Sequence, residues 1–274
     1  MRLYHWRFIW LISVFLLACG GQQTNTTPAV STPPLANNPP VQDPVLGANL
    51  QVPDNRKLDP QQILLFGNSH SGSHNLPGTL QLLLQQGTGK TVGTLRAGGA
   101  AYLDERLDDQ VSRPLLESGS WTHLILQAQK YSTTGLYNYS TAGAKSWIAL
   151  AKARGVTPVL FPEHPRAGNS EEGMRIFQLH QQIAADQAAC VAPVGPVWDQ
   201  VLQQWPDLPL HSDDGNHAAP AGALLTAYIL YQVISGQPAE ALPDLSALAV
   251  PITTQRILRQ AASAGIRQYP PCPF

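Results

Sequence analysis

Charge is scarce in this chain of 274 residues: 13% are Asp, Glu, Lys or Arg, and 17 cations against 18 anions leave a formal net charge of −1. No basic run occurs, so the electrostatic footprint of a nucleic-acid binder is missing and nucleic acid is not an expected partner. There is no Gly-rich phosphate loop, no Cys-x-x-Cys pair and no internal repeat, which sets aside nucleotide-phosphate cradles, dithiol redox sites and solenoids. The apolar run at residues 8–17 is about ten residues long, the length of a signal h-region and too short to cross a bilayer. Cysteine is rare as well, with three in the chain.

What is present is organised around Ile63-Leu64-Leu65-Phe66-Gly67-Asn68-Ser69-His70-Ser71. Four apolar residues bounded by glycine read as a short strand buried on both faces. Leu76, Leu80, Leu83 and Leu84 then recur at helical spacing. A serine at a strand-to-helix turn sits at the carboxyl edge of a parallel sheet, where open α/β folds place ligands, and the positive helix end favours developing negative charge. Ser69 is therefore a candidate nucleophile. The competing reading is that Asn68, Ser69 and Ser71 only cap the helix. Far downstream, His211-Ser212-Asp213-Asp214-Gly215-Asn216-His217 forms a polar loop ahead of a long apolar segment. Asp214 and His217 are three apart, with Gly215 available for a tight turn. A carboxylate at that spacing can hold one ring nitrogen of His217 and leave the other free as a base.

Gly67-Asn68-Ser69-His70 resembles the first block of the SGNH (GDSL-type) hydrolases, with Asn68 where Asp is usual. Asp214-x-x-His217 resembles their last block. The resemblance runs from about residue 61 to about residue 236. It implies a three-layer α/β/α, flavodoxin-like fold around a parallel sheet of about five strands, and esterase or acyl-hydrolase activity without a cofactor. It also implies Ser69, Asp214 and His217 as the triad. Arg96-Ala97-Gly98-Gly99 stands for the second block, so Gly98 or Gly99 would offer an N–H to the oxyanion beside that of Ser69. The third block departs from the family: where Gly-x-Asn-Asp is usual, this chain has Gln127-Ala128-Gln129-Lys130. A glutamine amide can donate as asparagine does, so Gln127 or Gln129 would complete the oxyanion hole. Strand alternation puts both on one face, so both face the site or both miss it. An α/β-hydrolase is disfavoured, because its elbow reads Gly-x-Ser-x-Gly and its histidine lies far from the acid in sequence.

Residues 1–18 read as a leader, with Arg2 and Arg7 ahead of the apolar run. Leu16-Leu17-Ala18-Cys19-Gly20 resembles the lipobox of bacterial lipoproteins, which implies cleavage before Cys19 and a lipid on its sulfur. The expected address is the cell envelope, lipid-anchored on the periplasmic or surface side of a membrane. Residues 19–59, rich in Gln, Asn, Thr and Pro, read as a disordered, semi-stiff tether. Within it the apolar residues of 44–53 are expected to dock in part. Residues 60–274 remain for one hydrolase-like domain. With Cys19 lipidated, Cys190 and Cys272 are left in an exported protein, where disulfides persist, and are expected to pair.

Strands are expected at 63–66, 90–95, 122–127, 157–161 and 190–194. Helices are expected at 74–86, 104–117, 140–153, 170–188, 196–204, 218–234 and 253–264. Tyr131, Arg166 and Glu163-His164-Pro165 fall at the strands' carboxyl edge and are candidates to border the site, although each reads equally as surface. His70 and His74, together with His211 and Asp213, are a weak zinc motif, and no metal is expected. The expected partner is a small-molecule or glycan ester, with membrane contact through the lipid. The rival reading is a non-catalytic glycan-binding module on the same fold.

Overall fold

The computed structural model describes residue 49 and residues 51–274. The leader, Cys19 with its lipid, and most of the tether lie outside the described residues. Five short strands form one parallel sheet: β1 Gln61–Phe66, β2 Val92–Arg96, β3 His123–Leu126, β4 Thr157–Leu160 and β5 Cys190–Val191. Their order is β2-β1-β3-β4-β5, and the register sets Ile63 beside Thr94 and His123, and His123 beside Thr157. The helices are α1 Leu76–Thr88, α2 Ser112–Ser118, α3 Ala142–Ala153, α4 Glu172–Asp186, α5 Val194–Gln204, α6 Pro220–Ser235 and α7 Ile252–Gln268.

Alternation along β1 divides the core. Ile63 and Leu65 pack with α1, α5, α6 and α7, while Leu64 and Phe66 pack with α2, α3 and α4. Both faces of the sheet are thus covered, giving the three-layer α/β/α architecture that continuous apolar strands require. Helix α6 is buried along its whole length from Ala221 to Ser235, as suits a helix apolar on all sides. Among the described residues, no helix is long and apolar enough to cross a membrane.

Several boundaries differ from the sequence reading. The helix expected at 104–117 is a 3-10 turn, Glu105–Leu107, followed by α2; Asp109 breaks it by accepting the N–H groups of Val111 and Ser112. The first helix starts at Leu76, because His74 and Asn75 adopt left-handed backbone (φ 47° and 55°). The last strand is two residues long, and Val194 already opens α5. Residues 51–59 are packed and not a free tether. Val52 is buried, the Asn55 amide donates to the carbonyls of Thr122 and Gly155 at 2.8 Å each, and Thr157 Oγ1 donates to Pro53 O at 2.7 Å. The boundary drawn at residue 60 therefore falls inside the folded body.

The tail is held as the cysteine count suggested. Cys190 and Cys272 form a disulfide, and the Val191 N–H donates to Pro271 O at 2.7 Å, so the tail covers the exposed edge of β5.

Candidate active site

The carboxyl ends of β1, β2, β3 and β4 and the loop before α6 converge on one side of the sheet. Asn68 caps the 3-10 turn Ser69–Ser71 by accepting the His70 N–H, while Ser69 is exposed. Capping and exposure of Ser69 thus coexist on different residues. Ser69 Oγ lies 2.8 Å from His217 Nε2, and His217 Nδ1 lies 2.5 Å from Asp214 Oδ2. An ionised carboxylate only accepts, so Nδ1 carries the proton and Nε2 is left to accept from the Ser69 hydroxyl. The other Asp214 oxygen accepts the N–H groups of Asn216 and His217, both at 2.9 Å, and the Ser212 hydroxyl at 2.8 Å. The hydrogen bond from His217, followed by these others, holds the Asp214 carboxyl well below the usual carboxylate range. Gly215 makes the turn at φ 66°, a backbone that costs glycine least.

Four further histidines brace this loop. His70 stacks on His217 with centroids 5.0 Å apart and planes 23° apart. Burial pushes His70 down to about 4, so it is neutral and does not oppose a positive charge arriving on His217. His164 stacks on Trp198 at 3.9 Å and donates to Asn216 O at 3.0 Å. His74 donates to Ala218 O at 3.0 Å, and His211 to Pro165 O at 2.7 Å. His70 and His74, weighed with Asp213 as a zinc motif, are thus used one by one in packing and backbone bonds. Among the described residues, no group of three His, Cys, Asp or Glu side chains could hold a metal ion.

Two arginines to which the sequence reading gave no role hold the first two blocks together. Arg96 donates to Ser71 Oγ at 2.9 Å and Asn68 O at 2.8 Å. Arg106, 1% exposed, donates to Gly67 O at 3.0 Å and Gly98 O at 2.7 Å. Gly98 and Gly99 are themselves exposed at the end of β2.

The third block behaves in a way that strand alternation did not foresee. Strand β3 ends at Leu126, and Ala128 adopts φ 76°, so the two flanking glutamines part company. Gln127 is fully buried; its Oε1 accepts the Asn68 N–H at 2.8 Å, and its amide donates to Glu163 Oε1. A methyl at Gly67 would sit 2.2 Å from that Oε1, so this packing demands glycine. Gln129 lines the pocket but spends both amide hydrogens on the carbonyls of Lys130 and Ser140, at 2.8 and 3.0 Å. That leaves Gln129 no N–H for an oxyanion.

Glu163 is the residue whose weight the sequence did not convey. It is 7% exposed, accepts from Gln127, takes the Tyr131 hydroxyl at 3.3 Å and lies 3.8 Å from His70 Nε2. Burial raises its carboxyl to about 7. Its only sequence signal was its place just after a strand. Asn68, Gln127 and Tyr131 gather round this one carboxyl. The cavity over Ser69 has a volume of about 510 Å³, and Tyr102, Tyr131, Tyr139, Glu163 and Arg166 wall it beside His217.

The sheet order, the position of the serine turn and the terminal Asp-His loop define an SGNH-type hydrolase fold. No known family profile matches the chain, and no curated protein does. Among solved structures, a protein from Slackia heliotrinireducens proposed to be an SGNH hydrolase is 25% identical, with a TM-score of 0.51 over 63% of this chain and 97% of that one. A DUF4886 family protein from Bacteroides uniformis is 13% identical, with a TM-score of 0.60 over 77% of this chain and 95% of that one. The second likeness is one of fold alone. At the level of fold, the chain groups with hydrolases of this type.

Proposed function

We propose that the protein is a serine esterase acting on O-acyl esters, O-acetyl groups among them, of glycans or other cell-envelope molecules. The observation that carries the reading is the unbroken relay from Ser69 Oγ through His217 to Asp214, at 2.8 and 2.5 Å, opening on a cavity of about 510 Å³. Ser69 Oγ attacks the ester carbonyl carbon while His217 Nε2 takes its proton, and Asp214 orients the ring and stabilises the imidazolium. Backbone N–H groups of Ser69 and of Gly98 or Gly99 hold the oxyanion. The tetrahedral intermediate expels the alcohol, protonated by His217, and leaves an acyl group on Ser69. Water, deprotonated by His217, then releases the acid. The lipobox-like start at Cys19 supports an exported, membrane-anchored address and so an envelope substrate.

The full chain in detergent is expected to hydrolyse p-nitrophenyl acetate, and Ser69→Ala to abolish it, with chelator leaving the rate unchanged. Equal rates in both proteins would sink the assignment. One observation favours the second reading, a glycan-binding module without turnover: the third-block amides are spent on Glu163 and on two backbone carbonyls. Glycan binding with no ester hydrolysis would establish that alternative.

A further inference from the structure

We infer that the loop 130–140 and the adjoining face of α4 form a second subsite, which binds a sugar ring of a polymeric substrate beside the ring whose ester meets Ser69. The ester part of this inference rests on the esterase reading; the binding part does not.

Position is the first argument. A cavity of about 220 Å³ adjoins the Ser69 pocket, and Lys130, Tyr131 and Tyr139 line both. A chain-like ligand crossing that shared wall occupies the two cavities together.

Chemistry is the second. Tyr137 and Tyr139 are 69% and 49% exposed on this loop, and large rings left in water mark a surface that is covered in use. A tyrosine offers a flat apolar face with a polar tip. The C–H face of a pyranose packs on such a ring, while its hydroxyl edge needs groups that donate and accept in one plane. Across the cavity α4 supplies Arg175, Gln178 and Gln182 beside the apolar Ile176 and Leu179; the guanidinium and amides are planar hydrogen-bonding groups. Rings interleaved with amides suit a sugar and provide no apolar tunnel for a long acyl chain.

Preorganisation is the third. The Gln129 amide bonds Lys130 O and Ser140 O and so staples both ends of the loop. Lys130 is anchored to Asp104 and Glu105 at 2.8 and 2.9 Å, and the Tyr137 N–H donates to Ser132 Oγ at 3.3 Å. A methyl at Gly135 would lie 3.0 Å from Arg175 Nη1, so the loop tip is seated close to α4. Holding the rings in place before binding lowers the ordering cost. The change in the third block thereby gains a purpose: Gln129 fixes the surface beside the pocket.

The test uses the full-length Ser69→Ala protein in detergent, titrated calorimetrically with partly O-acetylated xylo-oligosaccharides and with chito-oligosaccharides. One of these is expected to bind, Tyr137→Ala to weaken binding at least fivefold, and Tyr137→Phe, which keeps the ring face, to restore most of it. Because Tyr137 is exposed, its variants should melt with the parent. No binding to either probe class, or undiminished binding by a Tyr137→Ala/Tyr139→Ala double variant, overturns the subsite. Hydrolysis of p-nitrophenyl acetate by the wild-type protein, measured in parallel, separates the two claims. Hydrolysis without glycan binding removes the subsite alone, and tyrosine-dependent binding without hydrolysis upholds the subsite and removes the esterase.

Discussion

The two walls of the pocket are built on different principles. On one side, Asp214 and His217 lie three residues apart and are joined by local hydrogen bonds, with Gly215 turning the chain between them. On the other, Gln127, Gln129, Tyr131 and Glu163 owe their places to contacts between residues far apart in the chain, such as the bond from Asn68 N–H to Gln127, 59 residues away. The first wall matches a known pattern closely and the second departs from it. Hydrogen-bond geometry leaves few ways to align a serine, an imidazole and a carboxylate, whereas many side chains can line a cavity. The wall that holds the relay is therefore constrained, and the wall opposite is free to vary.

If the first wall is the reactive one, removing its members should produce the largest effect. Ser69→Ala or His217→Ala is expected to lower kcat for p-nitrophenyl acetate by about a thousandfold or more. Thermal melting should stay within a few degrees, since both side chains are partly or wholly exposed. A variant retaining a tenth of the wild-type rate would break the contrast between the walls.

The next effect concerns Glu163, where the two walls meet. Its carboxyl is raised from 4.5 to about 7 in the folded state by burial. The folded protein therefore holds this proton more tightly than the unfolded chain. The stability it contributes is fully present below about pH 4.5 and is lost as pH rises through 7. Glu163→Gln, which cannot ionise, should remove that slope, a change of up to about 3 kcal/mol between pH 4 and 8. Denaturant melts of both proteins across that range provide the check; parallel curves would show that Glu163 does not titrate there. Glu163→Ala should be worse at low pH, because Gln127 and Tyr131 lose a buried partner.

Away from both walls, Cys190→Ser or Cys272→Ser should cost about 2–4 kcal/mol, since the bond closes a loop of 82 residues in the unfolded chain. Urea melts under oxidising conditions would measure it, and the first wall should keep its relative reactivity. The smallest effect is expected at Gln129. Gln129→Met leaves two loop carbonyls without their shared donor and should cost about 1–2 kcal/mol. It should raise KM for an O-acetylated glycan more than it lowers kcat. The reverse pattern would return Gln129 to the reactive wall.

Much of the frame was legible beforehand. Ile63 to Phe66 is apolar without a break because a central parallel strand is covered on both faces, and that pattern has few other readings. The Ser69 turn and the Asp214–His217 spacing were visible for the same local reason. Arg106 was invisible: nothing in its neighbourhood announces that its guanidinium is buried and bonded to Gly67 and Gly98. The five braces on the serine and histidine loops, from Arg96, Arg106, His74, His164 and His211, all pair with backbone carbonyls, which carry no side-chain signature.

By itself, then, the sequence determined the sheet, the helices that cover it, the place of the serine turn and the pairing of Asp214 with His217. Each of those follows from periodicity or from neighbours a few residues apart. Only the tertiary structure decided that Ala128 turns left-handed, sending Gln127 under Asn68 and Gln129 to the loop 130–140. It likewise decided that Glu163 is buried among Asn68, Gln127 and Tyr131. Those outcomes depend on which side chains arrive from distant strands and how much water they exclude, a quantity that no local stretch of sequence contains.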